Sequence, residues 1–154
     1  MTSTPCHAHD VARKLRDRGV DEVKKLHKLL YYVQGWHLAE HGVPAFEEDV
    51  AAWEMGPVIA DLWADEKHRR PQPTAGEMPS TVLEVIERVV ERYGAMSGRA
   101  LEEKTHREAP WVDRWNDRLF TDRIDRTAMR DWFLLQRDAD AARARRREHA
   151  VMPR

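Results

Sequence analysis

Apolar residues recur at three- and four-residue spacing along most of the chain, and Gly and Pro cluster at a few sites between those stretches, which predicts a mainly α protein. A first helix is expected from about His9 to Arg18, closed by Gly19, with Val11, Ala12 and Leu15 inward. The second carries the clearest stripe, Val23, Leu26, Leu29, Leu30, Val33 and Trp36, starts from Asp21 as cap and stops near His41, before Gly42. The segment from Asp49 to Glu54 reads as one short strand or extended arm. Pro57 then suits the first turn of a third helix with Val58, Ile59, Leu62 and Trp63 on its inner face.

After a proline-punctuated loop, His68 to Gly76, the positions Val82, Val85, Ile86, Val89, Val90 and Tyr93 mark a fourth helix capped by Ser80 or Thr81. Ser97 begins a fifth that carries on through Leu101 to Glu108, where Pro110 forces the chain out of helical geometry, and a short helix holding Val112 and Trp115 follows. Asp125 or Thr127 opens the last helix, with Met129, Trp132 and Phe133 inward and Ile124 as a staple. The expected architecture is a compact single-domain bundle of about six or seven helices, with residues 1–136 as the domain and 137–154 as a basic C-terminal extension.

Composition narrows the chemistry. With 154 residues, 42% hydrophobic and 34% charged, the chain can bury one core. A formal charge of -1 gives no whole-molecule field for nucleic acid or anionic lipid, so any such contact is local. No apolar stretch approaches the roughly 20 residues that cross a bilayer, and no basic-then-apolar leader opens the sequence. A lone cysteine, Cys6, forms no internal disulfide. The expectation is a soluble cytoplasmic protein without membrane contact.

Four short runs carry candidate chemistry. His37-Leu38-Ala39-Glu40-His41 matches the H-x-x-E-H spacing of inverted zinc peptidases, in which two histidines one turn apart hold a metal and the glutamate activates water. Gly42 ends that helix, however, and no third ligand is marked. Cys6-His7-Ala8-His9-Asp10 gathers soft ligands at the chain's start, where a mobile terminus would bind metal only adventitiously. His106 lies in Thr105-His106-Arg107-Glu108-Ala109-Pro110-Trp111 with no nucleophile or paired carboxylate placed beside it, so it reads as a helix-end tie above a packed Trp111. The tail supplies Arg143, Arg145, Arg146 and Arg147, a small patch that could touch DNA or an acidic partner but that more often is a solvated helix end. Glycine-rich phosphate loops, G-x-S-x-G, C-x-x-C and dinucleotide fingerprints are missing, so an enzyme is not the expectation and no cofactor is implied.

Large rings stand out: Tyr31, Tyr32, Trp36, Trp53, Trp63, Trp111, Trp115 and Trp132 are many for so short a chain. Tyr31, Tyr32 and Trp36 spread around the second helix, so at least one is expected at a surface, where aromatics commonly anchor protein interfaces. The alternative is a core that wraps this helix from several sides.

Three ordered motifs carry a family resemblance: K-L-x-K-L-L-Y-Y-x-Q-G-W from Lys25 to Trp36, W-x-x-G-P-V from Trp53 to Val58, and T-H-x-x-x-P-W from Thr105 to Trp111. Over about residues 8–135 the chain resembles the Panacea domain, also described as SocA-like or GepA-like and phage-associated. The resemblance implies an antitoxin-like binding module that neutralises a cognate toxin by direct contact, in one known member as an adaptor to a ClpXP-type protease, with no catalysis. Tyr31, Tyr32, Gln34, Trp36, Trp53, Pro57, His106 and Trp111 are the expected partner-binding residues, whether they hold the surface or shape it. The competing classes are a metal-dependent hydrolase on His37, Glu40 and His41, and a DNA-associated regulator acting through the arginine tail.

Overall fold

A computed structural model describes residues 6–73 and 76–151. Within them the chain folds as α1 (Ala8–Asp17), α2 (Val23–His41), β1 (Ala51–Trp53), β2 (Gly56–Val58), α3 (Ala60–Lys67), α4 (Ser80–Tyr93), α5 (Gly98–Thr105), α6 (Ala109–Asn116) and α7 (Arg126–Val151). The mainly α expectation holds, with a small two-stranded sheet.

Helix α2 is the axis of the bundle. Every residue from Leu26 to Ala39 is buried, because α1, α4, α5 and α7 pack around it. The expected apolar stripe is therefore only part of its inward surface. Tyr31, Tyr32 and Trp36 are all buried, so the expectation that one of these rings lies at a surface is corrected: neighbours cover the helix on every side. Tyr32 stacks on Tyr93 with ring centroids 3.9 Å apart, and Phe133 from α7 meets Trp36 edge-on at 5.2 Å. Phe133 reaches that depth because Gly35 has no side chain; a Cβ there would lie 2.1 Å from its ring. Helix α2 ends at Gly42 in the left-handed conformation (φ 73°), as expected, while its N-cap is Glu22 rather than Asp21.

The first correction of topology concerns Pro57. It is a residue of β2, paired with Ala52 in an antiparallel hairpin whose register places Trp53 opposite Gly56, and not the first turn of a helix. The lone strand expected between Asp49 and Glu54 is thus one arm of a hairpin. Proline is tolerated because β2 is an edge strand. The third helix starts later, at Ala60, since the Ile59 N–H donates to His27 Nδ1 at 3.1 Å. On its other side β1 receives the segment Asp122–Ile124, with Ala52 N–H donating to Asp122 O and Ile124 N–H to Val50 O, both at 2.7 Å.

Helix boundaries elsewhere shift for local reasons. Helix α4 starts at Ser80 after an extended Pro79, and neither Ser80 nor Thr81 caps it; the Thr81 hydroxyl is engaged by His37 at 2.9 Å. Ser97 does cap α5, accepting from Ala100 N–H at 3.1 Å. That helix ends at Thr105, three residues earlier than expected, and Pro110 opens α6 in its first turn instead of ending a helix. Thr127 lies inside α7, which begins at Arg126 after Asp125. Helix α7 continues without a break through residue 136. The loop expected over residues 68–76 is present, except that Thr74 and Ala75 lie outside the described residues, as do residues 152–154 of the tail.

The start of the described chain is firmly packed, which corrects the expectation of a mobile terminus. Cys6 pairs with Phe46 in a parallel bridge, and its thiol donates to Ala45 O at 3.1 Å. Burial pushes that thiol up to about 11. His7 is bound to Glu48 and His9 to Asp65, so each soft ligand of the run already serves a tertiary contact.

Candidate functional site

The three sequence motifs converge on the hairpin turn. From α2, Lys28 reaches under it: its ammonium donates to Pro57 O at 3.1 Å, and a Cβ on Gly56 would lie 2.6 Å from Lys28 Cε. Gly56 itself has φ 106°, a backbone geometry that side chains disfavour. From the segment after α5, the His106 Nε2–H donates to Glu54 O at 2.9 Å, and from α6 the Trp111 indole donates to Trp53 O at 2.8 Å. The motif residues are the joints that hold this hairpin onto the bundle.

Around those joints the large rings form a ridge of two clusters, linked by the Trp111 indole bond to Trp53 O. Trp63 meets Trp53 edge-on at 5.4 Å, and the Lys67 ammonium sits over Trp63 at 4.3 Å. On the other flank His106 lies 4.2 Å from Trp111, Trp111 stacks on Trp115 at 5.3 Å, and the Arg118 guanidinium covers Trp115 at 3.7 Å. Four of the chain's six tryptophans are gathered here. Trp53, Trp63 and Trp115 are half-buried, and Met55 at the turn is 53% exposed. Past Arg118 the loop presents Leu119 and Phe120 at 85% and 91% exposure, and Asp122 ties that loop back by accepting from the Trp53 indole at 3.1 Å. So much exposed apolar surface next to rigid rings is the usual composition of a protein-docking face.

At the start of α6, where Glu108 is the N-cap residue, lies a buried polar knot. Glu108 accepts from the Tyr31 hydroxyl and from the Tyr32 hydroxyl, each at 3.0 Å, with the Lys104 ammonium at 3.5 Å from the same carboxylate. Burial raises the Glu108 carboxyl above its ordinary range, against the pull of Lys104 and the two hydroxyls, and burial also raises both tyrosines. Gln34 lies farther along α2, where it bridges Ala45 N–H and Phe46 O and pins the loop after the helix. Trp36 donates to the Tyr93 hydroxyl at 2.9 Å and borders a separate cleft of about 220 Å³ beside Arg92 and Asp140. The structure thus brings Trp53, Pro57, His106 and Trp111 together at the hairpin, sets Tyr31 and Tyr32 in the core on Glu108, and leaves Gln34 and Trp36 apart from it. Sequence reasoning passed over Trp63, Trp115, Met55, Leu119 and Phe120 as members of this face. Their shared placement depends on contacts between α3, α6 and the hairpin, which no local spacing announces.

The H-x-x-E-H run is built for structure. The His37 Nδ1–H donates to Val43 O at 2.7 Å, which leaves Nε2 as the acceptor for the Thr81 hydroxyl at 2.9 Å, so neither nitrogen has a lone pair for a metal. Glu40 is held by Arg88, and His41 is exposed in the last turn of α2. Among the described residues no three His, Cys, Asp or Glu side chains are grouped to hold a metal ion.

The sequence model of the family described as antitoxin SocA-like, Panacea domain, matches residues 26–112, more than half of the chain. The chain belongs to this family. The matched span of the Panacea domain runs from the start of the buried part of α2 to Val112 in α6, and so contains every joint of the hairpin. No curated protein and no solved structure matches the chain. Membership supports an antitoxin-type role in general, with a toxin as the general class of partner. Among the described residues no helix is long and apolar enough to cross a membrane.

Proposed function

We propose that this Panacea-domain protein is a non-catalytic cytoplasmic antitoxin that neutralises its cognate toxin by direct contact, docking it on the tryptophan ridge around the hairpin. The observation that carries this reading is the gathering of Trp53, Trp63, Trp111 and Trp115 beside exposed Met55, Leu119 and Phe120. Rigid rings with few rotatable bonds lose little entropy on binding, so they make good anchors. Tyr31 and Tyr32 support the face by holding Glu108 at the start of α6, while Pro57, His106 and Trp111 fix the hairpin in place. Gln34 and Trp36 act at a distance by holding the bundle.

The test is co-expression with the product of the adjacent gene. The intact chain should rescue growth and co-purify with that product. Trp53→Ala and Trp115→Ala, with folding verified by circular dichroism, should each weaken the complex by about tenfold or more. Folded variants with unchanged affinity would move the docking face elsewhere. Sequestration and delivery to a ClpXP-type protease are separated by the toxin's half-life in cells with and without that protease.

A further inference from the structure

Between the start of α2, the hairpin turn and α3 lies a cavity of about 370 Å³, walled by Val23, Trp53, Met55, Val58 and Trp63. Two basic side chains of α2, His27 and Lys28, also line it, and both are almost wholly buried. Because His27 Nδ1 accepts from Ile59 N–H, the neutral ring carries its proton on Nε2, and that Nε2–H has no partner among the described residues. Lys28 has three N–H donors and, among the described residues, one hydrogen-bond acceptor, Pro57 O. The side chains of His27 and Lys28 therefore give the lining donors without matching acceptors, among otherwise mostly apolar walls. An orphaned buried donor beside an under-paired ammonium costs stability unless an acceptor of opposite charge is supplied. Lys24 at the rim adds positive charge, partly offset by Glu102 at 3.5 Å and by Glu54.

We propose that this cavity receives the C-terminal residue of a partner polypeptide, an apolar side chain lying against Trp53 and Trp63 and its terminal carboxylate accepting from His27 Nε2–H and the Lys28 ammonium. A main-chain carbonyl would satisfy one donor and bring no charge to an ammonium that Glu102 balances only in part, whereas a carboxylate has two oxygens and the complementary charge. The cavity shares Trp53, Trp63 and Met55 with the docking ridge, so a chain end inserted here continues that interface; the inference rests on the antitoxin reading and adds the chemistry of the toxin segment that anchors it.

The experiment is calorimetric titration of the full chain with a short N-acetylated peptide ending in phenylalanine, as the free acid and as the C-terminal amide, with phenylpropionate as the free-acid probe. The peptide acid should bind, with the amide weaker by about tenfold or more. Lys28→Met, which keeps the linear stem packed under Gly56, should abolish the preference for acid over amide, and Trp63→Ala should weaken both peptides. Equal binding of acid and amide, or no binding of the acid, overturns the proposal. Phenylpropionate as tight as the peptide overturns it too, by assigning the cavity to free carboxylic acids. Repeating Lys28→Met against the adjacent gene's product keeps the two readings apart. If the complex survives intact while the peptide acid fails to bind, this inference falls and the antitoxin reading stands.

Discussion

His27 uses its two ring nitrogens unequally, and that asymmetry makes it a pH-sensitive part of the core. Burial, helped by the charges of Lys28 and Arg16, pushes the imidazole down to about 4 from its ordinary 6.5. In the unfolded chain the ring protonates as pH falls through 6.5, while in the folded chain it resists until about 4, so its stabilising contribution is complete above 6.5 and lost on acidification across that window. The loss amounts to up to about 3 kcal/mol. Urea midpoints measured across that window should fall more steeply for the native chain than for His27→Asn, whose amide oxygen still accepts from Ile59 N–H but does not titrate; equal slopes would assign the effect to other groups. Glu108 works in the opposite direction. Its raised carboxyl means that the folded chain holds the proton more readily, so the cost of its buried charge is relieved as pH falls. Lys28 adds a third case: burial lowers its ammonium to about 8, and Lys28→Met should raise the thermal midpoint at neutral pH because an under-paired buried charge is replaced by a well-packed apolar stem. A lower midpoint would show that its bond to Pro57 O outweighs the cost of burial.

The contact of α2 with α7 turns on a single missing side chain. Gly35→Ala adds helix propensity, worth about 1 kcal/mol in an open helix, yet places a methyl inside the Phe133 ring. Overpacking of that kind costs about 1–3 kcal/mol, so the substitution should destabilise the native chain. In a Phe133→Ala background the same change should turn neutral or stabilising, and a double-mutant cycle by chemical denaturation reads the reversal. Additive effects would mean that the helices shift to accommodate the methyl. The elements themselves were legible where sequence and packing agree: α2 and α4 follow their apolar repeats, Gly42 and Ser97 mark helix ends by their own local chemistry, and α7 starts where Ile124 and Met129 pack. The hairpin was only half legible. Pro57 carries a first-turn signature, and what overrides it is non-local, namely the Lys28 and His27 contacts reaching across from α2. The same holds for the site. The motifs pointed to Trp53, His106 and Trp111, but Tyr31 and Tyr32 bond a carboxylate 77 and 76 residues away in the sequence, a pairing that periodicity cannot register.

As a whole molecule the chain is a bundle with one long helix extending past it. Asp140 still joins the body, bonded to Arg92 and Arg143, whereas residues 145–150 of α7 are exposed. Removing residues 145–154 should therefore leave the thermal midpoint within about 1 °C, since surface changes away from packed features have small effects. If the arginine tail contacts DNA, the same truncation should abolish salt-dependent binding to the protein's own promoter; unchanged binding would exclude the tail as the contact. Affinity for the toxin should survive the cut, because the tryptophan ridge lies on α3, α6 and the hairpin.

Trp111 and Trp115 lie nearly parallel, 11° apart, and the Trp111 indole bonds the main chain of Trp53, which meets Trp63 edge-on. Indoles held that close share their electronic excitation, so the pair is a built-in optical antenna. The near-ultraviolet signal and the emission colour of the protein should register any polypeptide that settles over the cluster, without an attached dye.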